Sequence, residues 1–285
     1  MEKEDRMGGL PIISADDRMR QQRGVKLMVL GQAGVGKTSL LRTLDPKTVL
    51  FCDLESGDLA VQDLAVDQMR PQTWGECRDL ACFLAGPNPN VRPKDLYGQE
   101  HYDACIQRFG SPDALKKYDT VFIDSLSVAG RLCFAWAEHQ PEAFNAKGEK
   151  NLLGTYGLLG RELVLWITRM QHARITNIVF VCLLDEKEDD FKRKSWAMQI
   201  DGAKAAREIP GIVDCCVTLA IIRPEDGEPF RAFITDPANP FGFPAKDRSG
   251  RLDPMEKPHL GDLFAKLNDT NTARGQSAKT APRAA

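Results

Sequence analysis

Six short, almost continuous apolar runs recur along the chain, at residues 25–30, 48–52, 120–123, 177–184, 215–222 and 231–235. They do not alternate polar with apolar as a half-exposed strand would. Uninterrupted runs of this length are the pattern of strands buried on both faces, which requires a mainly parallel sheet with helices on either side. The segments between them fit that expectation. Residues 152–172 carry apolar positions at helical spacing and predict one long helix packed on the sheet. Between the second and third runs the chain is long and contains GPNPNVRP, whose proline and glycine content predicts loops, followed by HYDACIQRFGSPDALKKY, which reads as helical. The pattern gives an α/β domain over residues 23–267 with an insertion at about 70–117. Flexible tails are expected at 1–22 and at 268–285, where NDTNTARGQSAKTAPRAA has no periodic apolar pattern.

Composition narrows this picture in only a few ways. At 285 residues the chain is long enough for one well-buried domain with insertions. A formal net charge of −2 removes any overall attraction to nucleic acid, though a local basic face remains compatible with it. The eight cysteines include no C-x-x-C pair, and several sit inside apolar runs where a reduced thiol packs as a small hydrophobe, so a reducing cytoplasm, with neither zinc nor disulfides, is expected. No run approaches the roughly 20 apolar residues of a membrane span. A cytoplasmic protein without membrane partners is the expectation.

The chemistry is concentrated at strand ends. GQAGVGKTS, comprising Gly31, Gln32, Ala33, Gly34, Val35, Gly36, Lys37, Thr38 and Ser39, fits G-x-x-x-x-G-K-[ST] and lies between the apolar run VKLMVL and the amphipathic segment SLLRTL. Glycines allow successive amide N–H groups to converge on phosphate oxygens at a helix N-terminus. Lys37 is then placed to neutralise the β and γ phosphates, and the Thr38 hydroxyl to ligate Mg²⁺. In YDTVFIDSLS an apolar strand ends in Asp124, where a carboxylate can accept from a metal-bound water. In VLFCDLESGD a second strand ends in acids, and Glu55 is the candidate to align or deprotonate the attacking water, with Asp53 and Asp58 competing for that role. No N-K-x-D base-reading motif follows, so ATP rather than a guanine nucleotide is expected.

Together these residues resemble the RecA-like P-loop ATPases, and especially the phage and prophage AAA-type ATP-binding proteins of single-strand annealing recombination. The resemblance is carried by GQAGVGKTS, FCDLESGD, VFIDSLS, IPGIVD at 209–214 and AKDRSGRL at 245–252, and it covers most of the chain. It implies a RecA-like core and Mg²⁺-dependent ATP hydrolysis with Glu55 as catalytic glutamate. It also implies Lys246 and Arg248 as cations reaching a neighbouring subunit's nucleotide, a homo-oligomer, single-stranded DNA and a single-strand-binding protein as partners, and the cytoplasm of a bacterial or phage-infected cell. From charge alone, Lys246 and Arg248 read equally well as a solvated basic loop. The segment DEKEDDFKRKSWAMQIDGAKAAREIP stands where the family places its mobile DNA-contacting loop. Lys192, Arg193, Lys194, Lys204 and Arg207 are its candidates for backbone phosphates and Trp196 for base stacking, although EKEDD beside KRK also reads as self-compensating surface charge. One departure stands out. After NIVFV the family's polar γ-phosphate sensor is replaced by Cys182, Leu183 and Leu184. A recombination ATPase on single-stranded DNA therefore leads, ahead of a nucleotide-dependent switch or assembly factor and of a small-molecule phosphotransferase, whose usual arginine-rich lid is not evident in this sequence.

Overall fold

The computed structural model describes residues 12–21, 23–173, 176–188, 192 and 194–269. The parallel strands are β1 (Lys26–Gly31), β2 (Val49–Asp53), β3 (Asp67–Met69), β4 (Thr120–Asp124), β5 (Asn177–Glu188) and, after β6 (Lys194–Met198), β7 (Cys215–Ile222). They are completed by β8 (Phe230–Ile234), β9 (Lys246–Asp247) and β10 (Met255–Glu256). The order across the sheet is β10-β8-β7-β1-β5-β4-β2-β3, with β6 an antiparallel extension of β5 and β9 one of β7. From β7 to β3 all neighbours are parallel, and the antiparallel strands β8 and β10 close one edge. This is the α/β, mainly parallel arrangement expected from the sequence.

Alternation along each strand feeds two cores. In β1, Met28 and Leu30 face one side and Leu27 and Val29 the other, and all four are fully buried. The first side is covered by α2 (Trp74–Ala85), α4 (Leu126–Ala137), α5 (Leu152–Gln171) and α6 (Ala203–Ile212), with α3 (Gln99–Phe109) packed on α2. The second side is covered by the segment after β1 and by α7 (Leu260–Asn268). Trp166 of α5 is clamped between Trp74 and Phe180, and its indole N–H donates to the Cys77 carbonyl at 2.7 Å, so α5 is fixed in rotation as well as position.

Three features differ from the sequence expectation. The region 70–117 is no loop-rich appendage: α2, in its first half, carries a full capping box between Thr73 and Glu76 and buries Trp74, Cys77, Leu80 and Phe83 in the core. The amphipathic segment after Lys37 forms only a six-residue 3₁₀ turn, Thr38–Thr43, with Pro46 just beyond it opposing a longer helix. Within the expected N-terminal tail, α1 (Ala15–Arg20) is a short helix capped by Ser14. Residues 1–11 and 270–285, most of the two expected tails, lie outside the described residues. No helix among the described residues is long and apolar enough to cross a membrane.

Candidate nucleotide site

The loop leaving β1 is shaped by its glycines. Gly34 and Gly36 hold φ of +74° and +101°, where a side chain is strained, and a Cβ on Gly31 would lie 2.8 Å from Val35 and 2.9 Å from the Leu219 carbonyl. Lys37 is buried, its ammonium donating to the carbonyls of Gly31 at 2.9 Å and Gln32 at 2.8 Å. Burial pulls its pKa down, and the nearby Asp124 and Glu55 carboxylates oppose that shift.

Asp124 and Thr38 meet although the strands that lead to them are not neighbours. β5 lies between β1 and β4, with Val181 opposite both Val29 and Asp124. The 3₁₀ turn nevertheless brings the Thr38 hydroxyl back across it to donate to Asp124 Oδ2 at 2.5 Å. Burial pushes the Asp124 carboxyl up to about 6, with Glu55 and Asp53 pushing the same way and Thr38 and Lys37 opposing. Glu55, exposed at the end of β2, accepts a short hydrogen bond from the Ser125 hydroxyl, so its carboxylate stands one residue from Asp124. That separates it from its two competitors. Asp53 is buried and saturated, accepting from the N–H groups of Glu55 and Gly57 and from Gln68 Nε2, with Arg70 3.9 Å away. Asp58 is paired with Arg70 at 2.5 Å. Ser125, which positions Glu55, was visible in the sequence only as half of an Asp-Ser pair.

The residues present fit a magnesium nucleotide. Gly31 to Ser39 form a loop that glycine alone permits at three positions, a lysine and a threonine hydroxyl stand at its end, and a buried carboxylate with a second acid beside it faces that hydroxyl. A buried carboxylate whose own environment disfavours its charge is suited to a cation or its water shell. Where the resemblance would place a polar sensor, β5 carries Cys182, Leu183 and Leu184. Cys182 is buried with its thiol pushed up to about 12, and Ser127 Oγ accepts from the Leu183 N–H at 3.0 Å, stitching α4 to β5.

Lys246 and Arg248 lie elsewhere. β9 pairs with the start of β7, and β7 runs parallel to β1, so both cations sit at the end of the sheet opposite the phosphate loop. There Lys246 Nζ donates to the carbonyls of Pro210, Gly211 and Val213 at 2.7, 3.1 and 2.8 Å, and Arg248 donates to Gly211 at 2.9 Å and pairs with Asp214 at 3.4 Å. Within the chain they cap the C-terminus of α6. IPGIVD and AKDRSGRL, two of the motifs behind the resemblance, thus form one structural unit.

The DNA candidates fall between the end of β5 and the end of α6. Arg193 lies outside the described residues. Lys192 is exposed at φ +60°, Lys194 opens β6 opposite Glu188, and Lys204 is in the first turn of α6. Trp196 is half-buried, its indole N–H donating to the Phe241 carbonyl at 3.1 Å and its ring 4.9 Å from that of Phe243. Trp196 and Arg207 nevertheless line one groove of about 700 Å³ together with Tyr156 and Lys187, neither of which sequence reasoning had singled out. The fold also gathers Cys82, His101 and Cys105 within 4.8 Å, although no cysteine spacing announced it. Both His101 ring nitrogens are occupied there, by the Tyr97 N–H and by Asp79, and burial holds the two thiols up at about 11 and about 12.

A parallel sheet with a glycine loop, lysine and threonine at one strand end and carboxylates at two others defines a P-loop nucleotide-binding ATPase. The family model described as an AAA domain matches residues 23–249, and the chain belongs to that family. No curated protein matches it. Among solved structures it is similar to the flagellar accessory protein FlaH from Methanocaldococcus jannaschii, with 12% identity over 79% of this chain and 84% of that one. The TM-score of 0.29 is too low for that likeness to inform the function.

Proposed function

We propose that the protein is a Mg²⁺-dependent ATPase acting on single-stranded DNA in recombination or strand annealing, as a homo-oligomer. The observation that carries the ATPase half is the convergence of Thr38, Asp124, Ser125 and Glu55 at adjoining ends of the sheet. In this reading the loop amides and Lys37 hold the phosphates, while Thr38 and Asp124 hold the metal or its water shell. Glu55, kept in place by Ser125, orients and deprotonates the attacking water. Mg²⁺ held by these residues would supply positive charge against the nucleotide's phosphates. The DNA half is supported by the groove in which aromatic Tyr156 and Trp196 stand with cationic Lys187 and Arg207, the pairing that stacks bases and tracks a backbone. A single-strand-binding protein is the further partner implied. In an assembly, Lys246 and Arg248 would have to leave the carbonyls at the end of α6 to reach a neighbouring nucleotide.

The test is ATP turnover by wild type, Lys37→Ala and Glu55→Gln, each with and without single-stranded DNA, with oligonucleotide anisotropy read in parallel. Lys37→Ala is expected to lose nucleotide binding or turnover severely. Glu55→Gln is expected to bind normally and hydrolyse at least a hundredfold more slowly. Full turnover in Glu55→Gln removes that residue from the role. ATP binding without DNA affinity favours the second reading, a nucleotide switch or assembly factor, for which the Cys182–Leu184 stretch speaks because it carries no Gln, Asn or His side chain where the resemblance expects a polar sensor.

A further inference from the structure

The phosphate loop has a second cation against it that no motif announces. Arg231 is the second residue of β8 and pairs with Ile221, at the end of β7 that lies beside the loop. An ideal Cβ on Gly36 would lie 3.6 Å from Arg231 Nε and 3.8 Å from its Cζ, so the guanidinium lies directly over the loop at the residue before Lys37. Gly36 permits this approach by having no side chain. The side chain belongs to the face of the sheet that also carries Phe233, two positions on, and that packs against Val35 and the 3₁₀ turn. Arg231 is exposed, and among the described residues it has no hydrogen-bond or ion-pair partner. This sets it apart from Lys246 and Arg248, whose donors are taken up by the end of α6.

Electrostatics gives this placement a use. A guanidinium without a carboxylate, held against a loop whose amides and lysine already concentrate positive potential, raises the energy of the unliganded site by like-charge repulsion. A polyphosphate reverses the sign of that term. Mg²⁺ and Lys37 offset most but not all of a triphosphate's charge, and a planar fork of N–H donors is the side chain best matched to the remaining phosphate oxygens. We propose that Arg231 is a phosphate-binding cation of the same subunit, closing over the nucleotide from β8. The proposal rests on the nucleotide reading of the loop. It makes the antiparallel edge of the sheet part of the site and gives each subunit a cation of its own besides any supplied by a neighbour.

Arg223 provides the control. It follows β7 on the same hairpin, is exposed, likewise has no partner among the described residues, and lines a small cavity of about 190 Å³ with Gln32 to Val35 rather than lying over Gly36. Binding of ATP and of ADP, each with Mg²⁺, is to be measured by calorimetry for wild type, Lys37→Ala, Arg231→Ala, Arg231→Lys and Arg223→Ala. Circular dichroism serves to check the fold, and two protein concentrations separate effects within a subunit from effects between subunits. The expected result is a loss of about tenfold or more in Arg231→Ala, partial recovery in Arg231→Lys, a change of less than about threefold in Arg223→Ala, and no dependence on protein concentration. A loss shared by ATP and ADP assigns the contact to the phosphates they have in common, and a loss confined to ATP assigns it to the γ phosphate. Lys37-dependent binding that is unchanged in Arg231→Ala overturns the inference and leaves the nucleotide site standing. Equal losses in Arg231→Ala and Arg223→Ala also overturn it, because a general field and not a contact would then be at work. Absence of binding by wild type removes both the nucleotide reading and the inference.

Discussion

Asp124 is a carboxylate whose surroundings disfavour its charge until something positive arrives. Burial pushes it up to about 6, above the ordinary 3.8, so between those values the folded chain takes up a proton that the unfolded chain has released. The penalty is therefore absent in acid, grows as pH rises through that window and is complete above about 6, where it amounts to roughly 2–3 kcal/mol. Asp124→Asn is expected to stabilise the metal-free protein by that order at pH 7.5 and by little at pH 4, in denaturant titrations without Mg²⁺. An equal effect at both pH values would exclude the buried charge as its cause. Metal-dependent nucleotide binding should run the other way and weaken as pH falls below about 6, since a protonated Asp124 no longer accepts from the metal's water shell. Lys37, Thr38, Asp124 and Glu55 were legible in the sequence because each ends a motif whose spacing the chemistry dictates. Arg231 was not, because nothing in FRAFI separates a surface arginine from one laid over Gly36, and only the pairing of β8 with β7 brings it there.

At the scale of elements, legibility follows burial. The six apolar runs became β1, β2, β4, β5, β7 and β8 within a residue or two, apart from the longer C-terminal end of β5, since a strand buried on both faces has no other composition open to it. β3, β9 and β10 are two or three residues long and partly exposed, so their pairing is set by neighbours rather than by their own sequence. Helix α2 was obscured by the proline-rich turn that follows it, although Thr73 and Glu76 already spelled its N-terminus. The end of α6 depends on a distant side chain. Pro210 lies inside its last turn, and Lys246 supplies the donors for the carbonyls of Pro210, Gly211 and Val213. Lys246→Ala should cost about 1–3 kcal/mol in equilibrium denaturation while leaving nucleotide affinity within about twofold. Unaltered stability with turnover that collapses only in the assembled protein would instead assign Lys246 to a neighbour's nucleotide.

Across the whole molecule, the sheet separates three surfaces. One end carries the phosphate loop, Asp124 and Glu55, while the other gathers Lys246, Arg248 and Asp214 at the start of β7. The groove with Trp196 and Arg207 lies along the helical flank formed by α5, α6 and β6. A net charge of −2 means that the proposed affinity for DNA would have to come from a local face, for which that groove is the candidate, and not from the protein as a whole. The binding energy then divides in a measurable way, because cations contribute a salt-dependent part and aromatic rings a part that salt barely touches. Arg207→Ala should weaken binding of a single-stranded oligonucleotide several-fold and reduce the slope of log affinity against log salt by about one phosphate contact. Tyr156→Ala should weaken it with the slope unchanged. Lys37→Ala, whose side chain is buried in the phosphate loop and does not line the groove, should leave DNA binding without nucleotide intact. Anisotropy titrations at several salt concentrations distinguish these cases. If Arg207→Ala and Tyr156→Ala both match wild type at every salt, the groove is not where DNA lies, and the resemblance to recombination ATPases loses its physical support on this chain.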